Sequence, residues 1–232
     1  MNDNWKYYLS STTTETYNFL IRCFNSSTVE DFGPLYTLKE VKIYQVREAN
    51  SENVTDATSG NLVLYHGTSF QNATGILRKG FEISQQGHFG QGVYLTECSE
   101  MAIHYSRRQD NISADSNGKH YVFMNEVLNT KDLDTQISNA KPSKPPTSPV
   151  THAFTKYKFQ WSRLAYSNNK NPYETDSNGL KYRGCPVNIW NSADEYVTAA
   201  ESLKPRYLFE FKSNKIEERY DRFFNFLGEL FS

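Results

Sequence analysis

The sequence predicts an α+β domain, with a sheet at its centre and helices around it. Three observations lead there. Short runs rich in β-branched and aromatic residues crowd the middle of the chain. Segments with a 3.6-residue apolar period flank them. The two kinds do not alternate as a regular βαβα series, which argues against a doubly wound sheet.

Taken in order, residues 13–24 (TTETYNFLIRCF) place Tyr17, Leu20, Ile21 and Phe24 on one helical face. LKEVKIYQV (38–46) reads as a strand, with Val41 and Ile43 on one side and Tyr44 and Val46 breaking strict alternation. Polar residues 47–61 read as a loop. LVLYHG (62–67) is a continuous apolar run, expected to be a strand buried on both faces. Ser69 is placed to cap the next helix, whose Ile76 and Leu77 face inward, and Gly80 sits where a C-terminal cap belongs.

QQGHFGQG (85–92) is a tight-turning loop with three glycines. VYLT (93–96) is a short strand, SEMAIHYSRR (99–108) a helix starting at Ser99, residues 107–120 a loop, and YVFMNEVLN (121–129) a strong strand. NAKPSKPPTSP (139–149) is an extended, proline-rich loop, and 150–192 is aromatic but aperiodic. EYVTAA (195–200) and RYLFEFK (206–212) are two more strands, joined by a short link containing Lys204-Pro205. An amphipathic helix closes the chain, with Ile216, Tyr220, Phe223, Phe224 and Leu227 on its apolar stripe. The whole, residues 1–232, is read as one domain.

With 25 basic and 26 acidic residues the net charge is −1, which disfavours an obligate electrostatic binder of nucleic acid. Sixteen Tyr and fifteen Phe compensate for a modest 38% apolar content in building a core. Three scattered cysteines (Cys23, Cys98, Cys185) give neither a disulfide framework nor a zinc pattern. No leader-like segment and no run of ~20 apolar residues stands out. The protein is therefore expected to be soluble and intracellular, cytoplasmic or nuclear, with no membrane partner. GHFGQG has a loose glycine spacing but precedes a strand, so neither a dinucleotide-binding nor a P-loop reading meets its own context.

Three stretches stand out together: His66-Gly67-Thr68 at a strand end, Gly90-Gln91-Gly92-Val93-Tyr94-Leu95 opening the next strand with Tyr105 eleven residues past Tyr94, and Asp194-Glu195-Tyr196 opening a late strand that PRYLFEF follows. In order and spacing they resemble the catalytic domain of the poly(ADP-ribose) polymerase-like ADP-ribosyltransferases, over roughly residues 15–212, with 213–232 a C-terminal helix. The resemblance implies a mixed, mainly antiparallel sheet split around an NAD-binding cleft. NAD would serve as co-substrate, with no metal.

By resemblance, His66 holds the adenosine ribose and the backbone of Gly67 holds the nicotinamide carboxamide. Thr68 belongs to the same wall, Tyr105 stacks on the nicotinamide ring and Tyr94 lines its pocket. Glu195 binds the nicotinamide ribose and is the catalytic carboxylate. His66 and Tyr94 are counted with Glu195 as catalytic. Those roles fit the chemistry: breaking the nicotinamide–ribose bond builds oxocarbenium-like charge, which a carboxylate stabilises while the leaving group is held at a fixed angle. His88 and His104 are expected to be packing or surface residues, with His104 at most a minor contact.

Three positions depart from the family pattern. Ala102 stands where a Ser usually donates to the carboxamide, so this cofactor-site position lacks its hydroxyl. Met101 stands where chain-elongating members carry Lys, and Leu95 replaces a Phe. Mono-ADP-ribosylation of a protein acceptor with release of nicotinamide is the expected activity, a nucleic-acid end being the other acceptor class. NAD hydrolysis and a weakened NAD- or ADP-ribose-binding module are the alternatives.

Overall fold

The computed structural model describes residues 5–29, 32–49, 57, 59–84, 91–107, 118–128, 151–154, 173–187 and 195–231, with backbone alone at 151–154, 195 and 226–231. The proline-rich segment 139–149, most of 150–192, the loop residues 85–90 (including His88 and Gly90), 108–117 and Asp194 lie outside the described residues.

A seven-stranded sheet runs β1-β2-β10-β5-β3-β8-β7, and a three-stranded sheet runs β4-β9-β6. The large sheet consists of β1 (Tyr7–Ser11), β2 (Tyr36–Glu48), β10 (Leu203–Lys215), β5 (His120–Val127), β3 (Leu62–Thr68), β8 (Lys181–Arg183) and β7 (Tyr173–Thr175). The small one consists of β4 (Val93–Leu95), β9 (Glu195–Thr198) and β6 (Thr151–Phe154). Among the described strands, β3 and β8 pair in parallel and the other strand pairs are antiparallel. The α+β class with a mixed, mainly antiparallel sheet is as the sequence predicts.

Alternation along the strands builds a core on each face of the large sheet, and a third cluster packs Leu62, Leu64 and Val127 of the large sheet against Val93, Leu95 and Tyr196 of the small one. Ile43, Val63, Tyr65, Val122, Met124, Phe209 and Phe211 face one side, where they meet helices α1 (Thr14–Ser26), α3 (Ser99–Arg107) and α4 (Glu217–Phe231) through Leu20, Phe24, Ile103 and Phe223. Val46, Tyr121, Phe123 and Leu208 face the other side and meet α2 (Phe70–Lys79) through Ala73, Ile76 and Leu77. Tyr44 packs on that second core, which explains why Tyr44 and Val46 disturb a one-sided reading of β2: the strand is covered on both faces. Glu40, at φ 51°, lies in a β-bulge of β2, where the register against β10 shifts between Glu210 and Lys212.

The helix ends follow side-chain chemistry. Thr13 caps α1 by accepting from the Thr16 N–H, and Ser69 caps α2 by accepting from the Asn72 N–H. Gly80 ends α2 at φ 93°, a conformation that favours glycine, and its N–H bonds the Ile76 carbonyl.

One sequence expectation is corrected. Lys204-Pro205 is not a link between strands but the start of β10. Pro205 is tolerated because β10 pairs there with β5 alone, β2 joining from Tyr207 on, and because the register shifts between Pro205 and Tyr207.

Candidate active site

Among the described residues, one backbone bridge ties β3 to the end of β4. An isolated bridge joins Tyr65 and Thr96, with N–H to carbonyl distances of 2.8 and 2.9 Å in the two directions. Backbone groups two residues apart in a strand point to the same edge. Gly67 therefore turns its N–H and C=O toward β4, as Tyr65 does, but beyond the bridge, where the strands have separated. A donor and an acceptor side by side on one strand edge match a primary carboxamide, which offers one of each.

Gly67 is also the point where α3 comes closest to β3. A Cβ on Gly67 would lie 1.8 Å from the Ala102 carbonyl oxygen, 2.7 Å from its carbon and 3.0 Å from the Ser106 nitrogen. Glycine is required here by this close approach of two backbones. The approach brings Tyr105, on α3, to the cleft that opens beside Gly67.

That cleft encloses about 1000 Å³, at the upper end for small-molecule sites. His66, Gly67, Thr68, Tyr94 and Tyr105 all line it, so the structure brings five of the sequence-predicted residues together. Ala102 is fully buried in the main core and is not among the cleft-lining residues. Glu195 opens β9 and pairs with Phe154; its side chain is not among the described ones. Tyr94 stands opposite Val197 across the β4–β9 pair, so position 195, two residues from Val197, falls on the Tyr94 face of the small sheet.

The His66 ring is fixed from two sides. Nδ1 lies 2.8 Å from the Tyr94 carbonyl oxygen. A carbonyl only accepts, so Nδ1 carries the proton and, in the neutral ring, Nε2 is the acceptor. Phe81 packs edge-on against the ring at 5.3 Å. Burial pulls the His66 pKa below its ordinary value, against the opposing effect of the Tyr94 carbonyl. The neutral ring is thus favoured, with Nε2 suited to accept a hydrogen bond from a sugar hydroxyl.

Sequence reasoning missed Phe81 and the cleft-facing side of α2. Asn72, Gly75, Ile76 and Lys79 line the cleft, at the i, i+3, i+4, i+7 spacing of a single face, beside Ala73 and Leu77 on the buried one. The same helical periodicity that revealed the buried face contains this second stripe. His104 belongs to an aromatic cluster: its Nδ1 is 3.4 Å from the hydroxyls of both Tyr36 and Tyr220, and its ring is 4.7 Å from that of Phe224.

Among the described residues, no helix is long and apolar enough to cross a membrane. Comparison with the curated proteins finds no match. Comparison with protein families matches residues 14–213 to the poly(ADP-ribose) polymerase catalytic domain. That match spans all the strands but β1 and the end of β10, and both banks of the cleft. The chain belongs to the poly(ADP-ribose) polymerase catalytic-domain family of NAD-dependent ADP-ribosyltransferases.

Proposed function

We propose that the protein transfers single ADP-ribose units from NAD to a protein acceptor and releases nicotinamide. The observation that carries this reading is the Gly67 edge, a backbone donor–acceptor pair opening into a cleft lined by His66, Tyr94 and Tyr105. Gly67 binds the carboxamide, Tyr105 stacks on the pyridine ring, and Tyr94 and Thr68 complete the pocket. Neutral His66 accepts from the adenosine ribose. As the C1′–N bond breaks, its electron pair leaves with nicotinamide, which departs as a neutral base. The Glu195 carboxylate stabilises the positive charge left on the ribose. The acceptor's lone pair then forms the new bond to C1′, and its proton passes to Glu195 or to solvent.

Transfer of one unit is favoured by Met101. It packs against the main core and provides no cation where chain-elongating relatives carry Lys. The test is incubation with labelled NAD and a cell lysate, followed by gel analysis and mass spectrometry. A single shift on protein is expected; a ladder of long chains would sink the mono-transfer reading, and label on nucleic acid would move the acceptor class. Nicotinamide release without labelled macromolecule identifies hydrolysis, and NAD binding without release identifies a binding module. Glu195→Gln is expected to fold normally and lose transfer by at least about 100-fold.

A further inference from the structure

A charged cluster lies buried beside the Tyr65–Thr96 bridge. Glu97 follows Thr96 directly and is 2% exposed. Its Oε1 accepts from the Tyr196 hydroxyl at 2.6 Å and from the Tyr173 hydroxyl at 2.7 Å. Its Oε2 faces Arg183 Nη1 at 3.2 Å. Arg183, 3% exposed, also donates from Nε to the Cys185 carbonyl at 3.2 Å and from Nη2 to the Pro186 carbonyl at 3.0 Å. Burial and the Glu97 charge push the Tyr196 hydroxyl well above its ordinary pKa, so it remains a donor.

These four side chains come from both sheets. Glu97 lies two residues past β4 and Tyr196 lies in β9 of the small sheet, whereas Tyr173 and Arg183 lie in β7 and β8 at the edge of the large one. A buried ion pair is a poor source of stability compared with apolar packing, because desolvation offsets its attraction. What it does supply is fixed geometry: both carboxylate oxygens are engaged in set directions. Tyr196 is the residue after Glu195, and a strand backbone held at 196 is held at 195.

We propose that this cluster is the joint that sets β9 against β3, making Tyr196, Glu97 and Arg183 positioning residues for the carboxylate at 195. The catalytic half of the proposal rests on the transfer chemistry proposed above. Gly67 and Tyr105 lie on β3 and α3, outside the small sheet that holds β9. Loosening β9 therefore acts on the chemical step and leaves the proposed carboxamide and ring contacts of Gly67 and Tyr105 in place.

Glu97→Gln leaves Arg183 buried without a counter-charge and tests folding more than position. Two milder variants are matched instead. Tyr196→Phe and Tyr173→Phe each keep their ring and each remove one hydroxyl from the same Glu97 oxygen, but from different strands. In Tyr196→Phe, amide hydrogen exchange at 196–198 is expected to rise while β5 is unchanged. Its kcat for nicotinamide release is expected to fall about tenfold, equal to about 1.4 kcal/mol of transition-state stabilisation, with KM for NAD unaltered. Tyr173→Phe is expected to change kcat less than about twofold, since it frees β7 and not β9. Equal losses in the two variants, unaltered exchange at β9, or a raised KM with normal kcat would each overturn the proposal. A wild type that releases no nicotinamide overturns the transfer chemistry, and the exchange pattern then decides the joint by itself.

Discussion

Gly67→Ala tests the contact on which the cleft depends. The added methyl would sit 1.8 Å from the carbonyl oxygen of Ala102, whereas real Cβ atoms essentially never come within 3.0 Å of such an atom. Relief requires β3 and α3 to part by at least about 1.2 Å locally. The atoms in the way are backbone, in the middle of a packed helix, so no rotamer change can help. Overpacking of this kind costs about 1–3 kcal/mol, which for a chain of this size lowers Tm by about 2–12 °C. The same displacement carries Tyr105 away from the Gly67 edge. A misplacement of about 1 Å is worth roughly 100-fold in rate, so kcat/KM for NAD should fall by about that factor while the protein still folds. The assay pairs a thermal melt with nicotinamide release. Ala102→Gly added to Gly67→Ala should rescue neither measurement, because the clash is with the carbonyl and not with the methyl group of Ala102. Wild-type melting and activity in Gly67→Ala, or rescue by the second change, would refute the close approach.

Three further outcomes are expected. Ala102 is fully buried in the main core and off the cleft wall, so Ala102→Ser should leave KM for NAD unchanged; a KM lowered about fivefold, the worth of one neutral hydrogen bond of ~1 kcal/mol, would place position 102 in the cleft. His66 has a depressed pKa, so the unfolded chain takes up its proton first, and the stability His66 provides is complete above about pH 6.5 and lost as pH falls below it. Melting curves from pH 7.5 to 5.5 should therefore be steeper for wild type than for His66→Gln, by at most about 1.4 kcal/mol per pH unit, and parallel curves would refute the buried neutral ring. Glu100 is 3% exposed, and burial raises its pKa to about 8 even though the Leu35 and Tyr36 backbone N–H groups favour its charge. The folded state then holds a proton that the unfolded state has released, so stability declines as pH rises from about 4.5 to about 8. Glu100→Gln should melt higher than wild type at pH 9 and much the same at pH 4, and a variant less stable at pH 9 would show that the carboxylate is needed charged.

What the sequence revealed and concealed follows from the range of the forces involved. α1, α2 and α3 were readable because periodic apolar residues and, for α2, the Ser69 cap are local signals. β3 and β5 were readable because burial on both faces leaves a continuous apolar run. β7 and β8 are three residues each, too short to show a period, and exist through pairing with one another and with β3. β1 carries exposed Tyr8 and Leu9 and is a strand only because β2 lies beside it. At the candidate site, His66, Gly67, Tyr94 and Tyr105 are named by their resemblance to the family's motifs, and the structure brings them to one cleft. The joint at Glu97 was invisible, since its four members lie at positions 97, 173, 183 and 196 and only the fold brings them together.

The cleft owes its position to a diverted hydrogen bond. Past the Tyr65–Thr96 rung, an antiparallel ladder would next pair Gly67 with Tyr94, and the Tyr94 carbonyl would receive the Gly67 N–H. Instead that carbonyl accepts from the His66 ring. One side-chain proton thus does what a backbone proton would have done. It satisfies a partly buried carbonyl, as burial requires, without drawing β3 and β4 together. Gly67 is left presenting at the split the donor and acceptor that a neighbouring strand would normally consume, and a carboxamide is chemically a detached peptide group. The His-Gly pair can therefore be understood as one device: the histidine ends the ladder, the glycine offers its next rung to a ligand, and Glu97, one residue past the last rung, keeps the two sheets from drifting apart.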